Sequence, residues 1–309
     1  MKEKNPKSSQ VNKPLFLRSE SASSTVVGAV LLLAIIVMVL SVIRLSYIPE
    51  WKNDAEYSHM NDVWGDMADL KSKIDLMTII LASDPATSNT EITMSIPFHM
   101  GGGDVPLIGP IKSSGTLSVN KDNCNMTVIP NEGNKTKIRC GTISYSSQNR
   151  YYVDQNFVYE GGALILSQGE QSSMMLYPSI RFSRVSAKKY NVSIHAVEIY
   201  KQGYIPSDIV SSNTGCSLRL TGREFKPLYD SMESSNDTDS FTLTINTNYP
   251  DAWDLYLKET MADARVTDYD IDKRGNSVSL TFPSGSSGES LERLQVSKTV
   301  IKAEPGIGI

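Results

Sequence analysis

Val26-Val27-Gly28-Ala29-Val30-Leu31-Leu32-Leu33-Ala34-Ile35-Ile36-Val37-Met38-Val39-Leu40-Ser41-Val42-Ile43 is the most apolar stretch of the chain, and the uncharged run around it spans residues 22–43. A bilayer core about 30 Å thick needs about 20 apolar residues at about 1.5 Å rise each. Inside hydrocarbon the backbone must satisfy its own polar groups, so this run predicts a transmembrane helix. Lys2, Lys4, Lys7, Lys13 and Arg18 precede it against Glu3 and Glu20, and Arg44 alone follows closely. Basic flanks stay in the cytoplasm, which predicts a single pass through the cell membrane with a cytoplasmic amino terminus and an extracellular carboxy-terminal domain.

Working outward, the charge divides with the topology. The whole chain of 309 residues is 40% hydrophobic and 21% charged with net charge −4, the composition of a foldable protein rather than a disordered one. Residues 45–309 hold 24 Lys and Arg against 32 Asp and Glu. That balance suits a solvated exterior and counts against nucleic acid as a partner.

Small and polar residues sit before the apolar helix, in Ser19-Glu20-Ser21-Ala22-Ser23-Ser24-Thr25. A secretory signal peptide has a shorter apolar region and places such residues after it. The string Ala22-Ser23-Ser24-Thr25-Val26-Val27-Gly28-Ala29-Val30-Leu31-Leu32 resembles the amino-terminal signal of archaeal type IV pilin-like and archaellin-like proteins, with Thr25 where Pro is usual. The resemblance is confined to about residues 18–43. It implies removal of the leader near Ala22 and Ser23 by a prepilin-type peptidase, and an assembly helix carrying Val26, Val27, Gly28, Leu31 and Leu32. It also implies a long first helix whose outer half packs on its own head and whose inner half bundles with other pilin-like subunits.

Beyond Pro49, residues 51–82 contain no proline and only Gly65. Met60, Val63, Met67, Leu70, Ile74, Met77 and Leu81 alternate three and four apart, a heptad-like stripe that predicts an amphipathic stalk helix. Two partners satisfy such a stripe, the chain's own head and a second copy. The cluster Ser83-Asp84-Pro85-Ala86-Thr87-Ser88-Asn89 ends the helix. The expected division is therefore a leader (1–22), a transmembrane helix (23–44), a helical stalk (45–83) and an extracellular β-rich domain (90–309).

From residue 90 the apolar period becomes alternating, as in Phe241-Thr242-Leu243-Thr244-Ile245. About ten strands are expected, including 150–159 and 174–181, together with a hairpin across Lys273-Arg274-Gly275-Asn276. One helix begins at Pro250-Asp251-Ala252-Trp253. The fold class is α+β with a sandwich-like head, in one module or two. A hairpin centred on Glu132 sets Cys124 opposite Cys140, Met126 opposite Ile138 and Val128 opposite Thr136, a register that predicts a Cys124–Cys140 disulfide. Cys216 alternates with Leu218 and Leu220 and reads as a buried thiol. N-glycosylation sequons start at Asn125, Asn134, Asn191 and Asn236.

No catalytic constellation emerges. His59, His99 and His195 lie apart without metal-ligand spacing, and Gly101-Gly102-Gly103 lacks the Lys-Ser/Thr of a phosphate loop. Fourteen tyrosines offer aromatic contacts for carbohydrate, or simply strand residues. The sequence points to a non-enzymatic, cofactor-free, membrane-anchored surface protein of structural or adhesive role, assembling through its first helix into a homo-oligomer or filament. The alternative is an uncleaved signal-anchored binding protein with a β-sandwich recognition head.

Overall fold

In the computed structural model the described residues are 20–83, 91–101, 104–105, 109–110, 114–131, 133, 135–200, 208–233, 238–285 and 287–307. Residues 1–19, where the expected leader falls, residues 84–90, where the cluster expected to end the helix falls, and the sequon residues Asn134 and Asn236 lie outside them. The chain divides into two compact units, Met1–Trp51 and Lys52–Ile309.

Helix α1 (Glu20–Val42) runs through a five-residue π turn, Ile43–Tyr47, into α2 (Ile48–Ser83). Pro49 brings no N–H and its ring crowds the carbonyl four residues back, so an ordinary α turn is unfavourable just before it. The chain widens there instead: the Ile48 N–H donates to the Ile43 carbonyl, five residues earlier.

Eighteen strands are present among the described residues. They are β1 (Ile92–His99), β2 (Asp104–Val105), β3 (Gly109–Pro110), β4 (Gly115–Val119), β5 (Asn125–Pro130), β6 (Thr136–Arg139), β7 (Thr142–Ser147), β8 (Asn156–Glu160) and β9 (Ala163–Gln168). The series continues with β10 (Gln171–Leu176), β11 (Ile180–Arg184), β12 (Lys189–Tyr200), β13 (Asp208–Ser212), β14 (Gly215–Asp230) and β15 (Phe241–Asn246). After helix α3 (Pro250–Asp263) come β16 (Asp270–Arg274), β17 (Ser277–Phe282) and β18 (Ser290–Ile307). Three main sheets form, in the orders β1-β14-β18-β12-β11, β10-β9-β8-β7-β4-β13 and β16-β17-β15-β5-β6. The β-rich head with one short helix is thus present, built on three sheets rather than two.

The long strands of the first sheet serve two cores. Tyr190, Val192, Ile194 and Ala196 of β12 join a core with α3 and the β5 and β15 sheet. Val197 and Ile199, one register step later, join a second core with α2 and the β4 and β7 sheet. Because side chains alternate along a strand, this single step moves the buried face to the other side of the sheet. β18 makes the same exchange, with Leu294 and Val296 in the first core and Ile301 and Ala303 in the second. β12 and β18 run parallel throughout, so the exchange is coordinated across the pair.

Met60, Val63, Met67, Leu70, Ile74 and Met77 are the helical wall of the second core, against Ile96, Phe98, Leu117, Tyr145 and Leu220. Of the two partners open to the stripe, the head is the one it meets. Gly222 in β14 permits the approach at the far end, since a Cβ there would stand 3.0 Å from Leu81 Cδ1. From Lys52 onward the helix belongs to the same compact unit as the sheets, with its stripe packed in the second core.

Candidate functional site

Helix α1 places its residues without intrachain cover. Residues 24–42 are all exposed, and Val26, Val27, Leu31 and Leu32 are each more than half accessible. Gly28 has open space around it. Among the described residues, this helix alone is long and apolar enough to cross a membrane. Ala22 and Ser23 lie in its first turns.

The polar residues of α2 are organised around the start of the stripe. Glu56, almost fully buried, accepts hydrogen bonds from the amides of Arg150 (3.0 and 3.1 Å), Tyr151 (2.7 Å) and Tyr152 (2.7 Å). Asn53 Nδ2 donates to the Tyr151 carbonyl at 2.7 Å, and Lys52 Nζ stands 4.9 Å above the Tyr151 ring. One turn further, His59 Nε2 lies 2.9 Å from Tyr145 Oη. Burial lowers the His59 pKa, which favours the neutral ring. Asp66 accepts from the His99 amide at 2.7 Å and meets its Nδ1 at 2.9 Å. His59 is thus part of α2 and His99 meets the same helix through Asp66, and no set of three metal-binding side chains forms among the described residues.

A second polar centre lies under α3. The register expected of the cysteine hairpin is present, with Met126 opposite Ile138 and Val128 opposite Thr136. The expected disulfide is not: Cys124, Cys140 and Cys216 are free, buried thiols. The Cys140 amide donates to the Cys124 carbonyl at 2.9 Å. Cβ atoms opposed at such a hydrogen-bonded position stand toward the wide end of about 4.5–5.5 Å, whereas a disulfide needs about 3.5–4.5 Å. The hydrogen bond to Cys140, together with burial, pushes the Cys124 thiol up, which disfavours its thiolate form. Beside them Glu160 is buried and accepts from Trp253 Nε1 at 2.6 Å and Thr247 Oγ1 at 2.5 Å. Burial pushes its carboxyl up to about 7, with the two hydrogen bonds restraining the rise. Sequence reading passed over Glu56 and Glu160. Glu56 carried a signal, because it continues the stripe four residues ahead of Met60; Glu160 precedes Gly161-Gly162 and reads as a solvated turn.

The sequence profile of a family of unknown function, DUF7289, matches residues 112–303. The chain belongs to that family. Neither a curated protein nor a solved structure matches it. The family region starts just before β4 and takes in the cysteine hairpin, Glu160, α3 and most of β18, leaving α1, α2 and β1 outside.

Between the family region and α2 a groove of about 550 Å³ opens beside β11 and α3, where Tyr177, Arg181, Phe182 and Tyr256 face Lys71 and Asp75 of α2. Tyr177 Oη donates to Glu259 at 2.7 Å, and its ring packs on Tyr256 at 5.0 Å. The two described sequon residues are strand residues. Asn125 opens β5 between β6 and β15, and Asn191 stands in β12 between β11 and β18 with its carboxamide oxygen buried. Both are partly buried strand residues, where a sequon is expected in a surface loop.

Proposed function

We propose that the chain is a pilin-like surface protein, anchored by α1, that displays its β-rich head outside the cell. The observation that carries this reading is the division of burial along the long helix. Residues 26–40 expose an unbroken apolar surface, while the stripe of α2 is enclosed by the head. In this reading a prepilin-type peptidase removes the leader near Ala22 and Ser23. Val26, Val27, Gly28, Leu31 and Leu32 then pack against other copies or other pilin-like subunits, with Gly28 allowing close helix approach. The head acts in adhesion or surface contact without catalysis, cofactor or nucleic acid, and glycans on Asn134 and Asn236 decorate it. The mass of the protein isolated from its native membrane tests this. A chain beginning near Ser23 supports processing, and one still beginning at Met1 removes both processing and the filament.

A second reading keeps the anchor uncleaved and gives the head a recognition role. The groove of Tyr177, Arg181, Phe182 and Tyr256 favours it, since aromatic and charged groups converge there at the surface. Charge reversal at Arg181 that abolished attachment to a surface polymer, in a chain retaining Met1, would select this reading.

A further inference from the structure

We infer that the loop 150–153, together with Tyr57 and Lys52, is a contact for the lipid bilayer surface. The inference rests on the membrane-anchor reading of α1 and adds to it a second place of contact.

The composition of the patch is that of a headgroup-level surface. Tyr151 (38%), Tyr57 (51%) and Val153 (53%) are exposed, which is unusual for neighbouring large side chains on a water-facing loop. The rings of Tyr57 and Tyr152 meet edge to face at 5.5 Å, and Lys52 covers the Tyr151 ring while donating to its hydroxyl at 3.3 Å. Arg150 is also exposed. Tyrosine with flanking Lys and Arg is the combination that favours the boundary between acyl chains and headgroups, where a ring is half solvated and a cation meets phosphate.

The loop is held rigidly. Three successive amides are satisfied by the single buried carboxylate of Glu56, and Asn53 takes the Tyr151 carbonyl. A buried carboxylate is costly to place unless it is fully hydrogen bonded, so the clamp fixes where these aromatic side chains stand on α2. Its position in the chain is what identifies the partner. Tyr47 and Trp51, an aromatic pair at 6.0 Å, follow the apolar run and mark headgroup level. Lys52, Asn53 and Glu56 follow Trp51 by one to five residues, at most about 8 Å of helical rise. No longer tether separates the clamp from the segment read as the anchor, and this continuity in the chain is what points to lipid as the partner of Tyr151 and Val153.

Site-directed spin labels on the full chain, in vesicles of phosphatidylcholine and phosphatidylglycerol, test this. Labels go on Leu33→Cys, Val153→Cys and Val185→Cys in turn; the native thiols are buried and do not compete. Collision with oxygen and with a water-soluble nickel chelate reports depth. The expected result is a label at 33 in hydrocarbon, a label at 185 in water, and a label at 153 meeting the nickel chelate several-fold less often than the one at 185. A label at 153 as water-accessible as that at 185, with 33 still in hydrocarbon, overturns the loop contact and leaves the anchor standing. Water accessibility at 33 overturns the anchor reading, and the loop contact with it.

Discussion

At neutral pH Glu160 stands midway between its two forms, because a carboxyl with an ordinary value of 4.5 is moved to about 7 by burial. The folded chain therefore holds this proton more tightly than the unfolded chain. Its contribution to stability is fully present below about pH 4.5 and is lost as pH rises through about 7. The loss amounts to about 3 kcal/mol. Urea unfolding of the wild type should show this decline between about pH 4 and pH 8, superimposed on the other titrations, and Glu160→Gln should lack it. A variant with the same slope as the wild type would place the titration elsewhere. The thiols give a second prediction at this scale. A thiol reagent should find none of Cys124, Cys140 and Cys216 in the native state and all three after denaturation without reductant. The cysteine register was legible because alternation about Glu132 fixes which residues face each other. The state of the sulfurs was not, because it depends on the amide-to-carbonyl bond between the two cysteines, which spacing does not encode.

For α2 as an element, burial sets the cost of substitution. Leu70→Ala should destabilise the head by about 2–5 kcal/mol, and Ile79→Ala, at a 63% exposed position of the same helix, by no more than about 0.5 kcal/mol. Thermal or denaturant unfolding of the two variants checks the contrast; equal effects would mean that the stripe is not core. A charge at Met60, Met67 or Ile74 should unfold the head whatever the state of assembly, so such variants report on folding rather than on contact between copies. The periodicity revealed the face of this helix but not its partner, since a head and a second copy demand the same spacing. Strand readings failed where a side chain intervened. Tyr151-Tyr152-Val153 is rich in strand formers, yet Glu56 takes the amides that a ladder would use, and β8 starts only at Asn156. The run read as one strand over 174–181 is cut by Pro178, with β10 ending at Leu176 and β11 opening at Ile180. The hairpin across Gly275 was read correctly, because alternation and a turn glycine coincide there.

For the whole molecule, what sequence conveys is local and what organises the head is not. The parallel pairing of β12 with β18 joins residues about a hundred apart, and the one-step change of buried face along both strands appears only once they are side by side. The long apolar helix, by contrast, was legible from length and composition alone, as was the boundary where helical period gives way to alternation. In the proposed function the surface of α1 meets membrane and neighbouring copies, whereas the stripe of α2 lies in the interior of the head. Single cysteines on α1, at Val27 or Leu31, test that division most directly when protein in its native membrane is oxidised, because the native thiols are buried. Disulfide-linked dimers at these positions, and none from a cysteine at exposed Val185 on the head, are the predicted result. Monomer at every α1 position would contradict it.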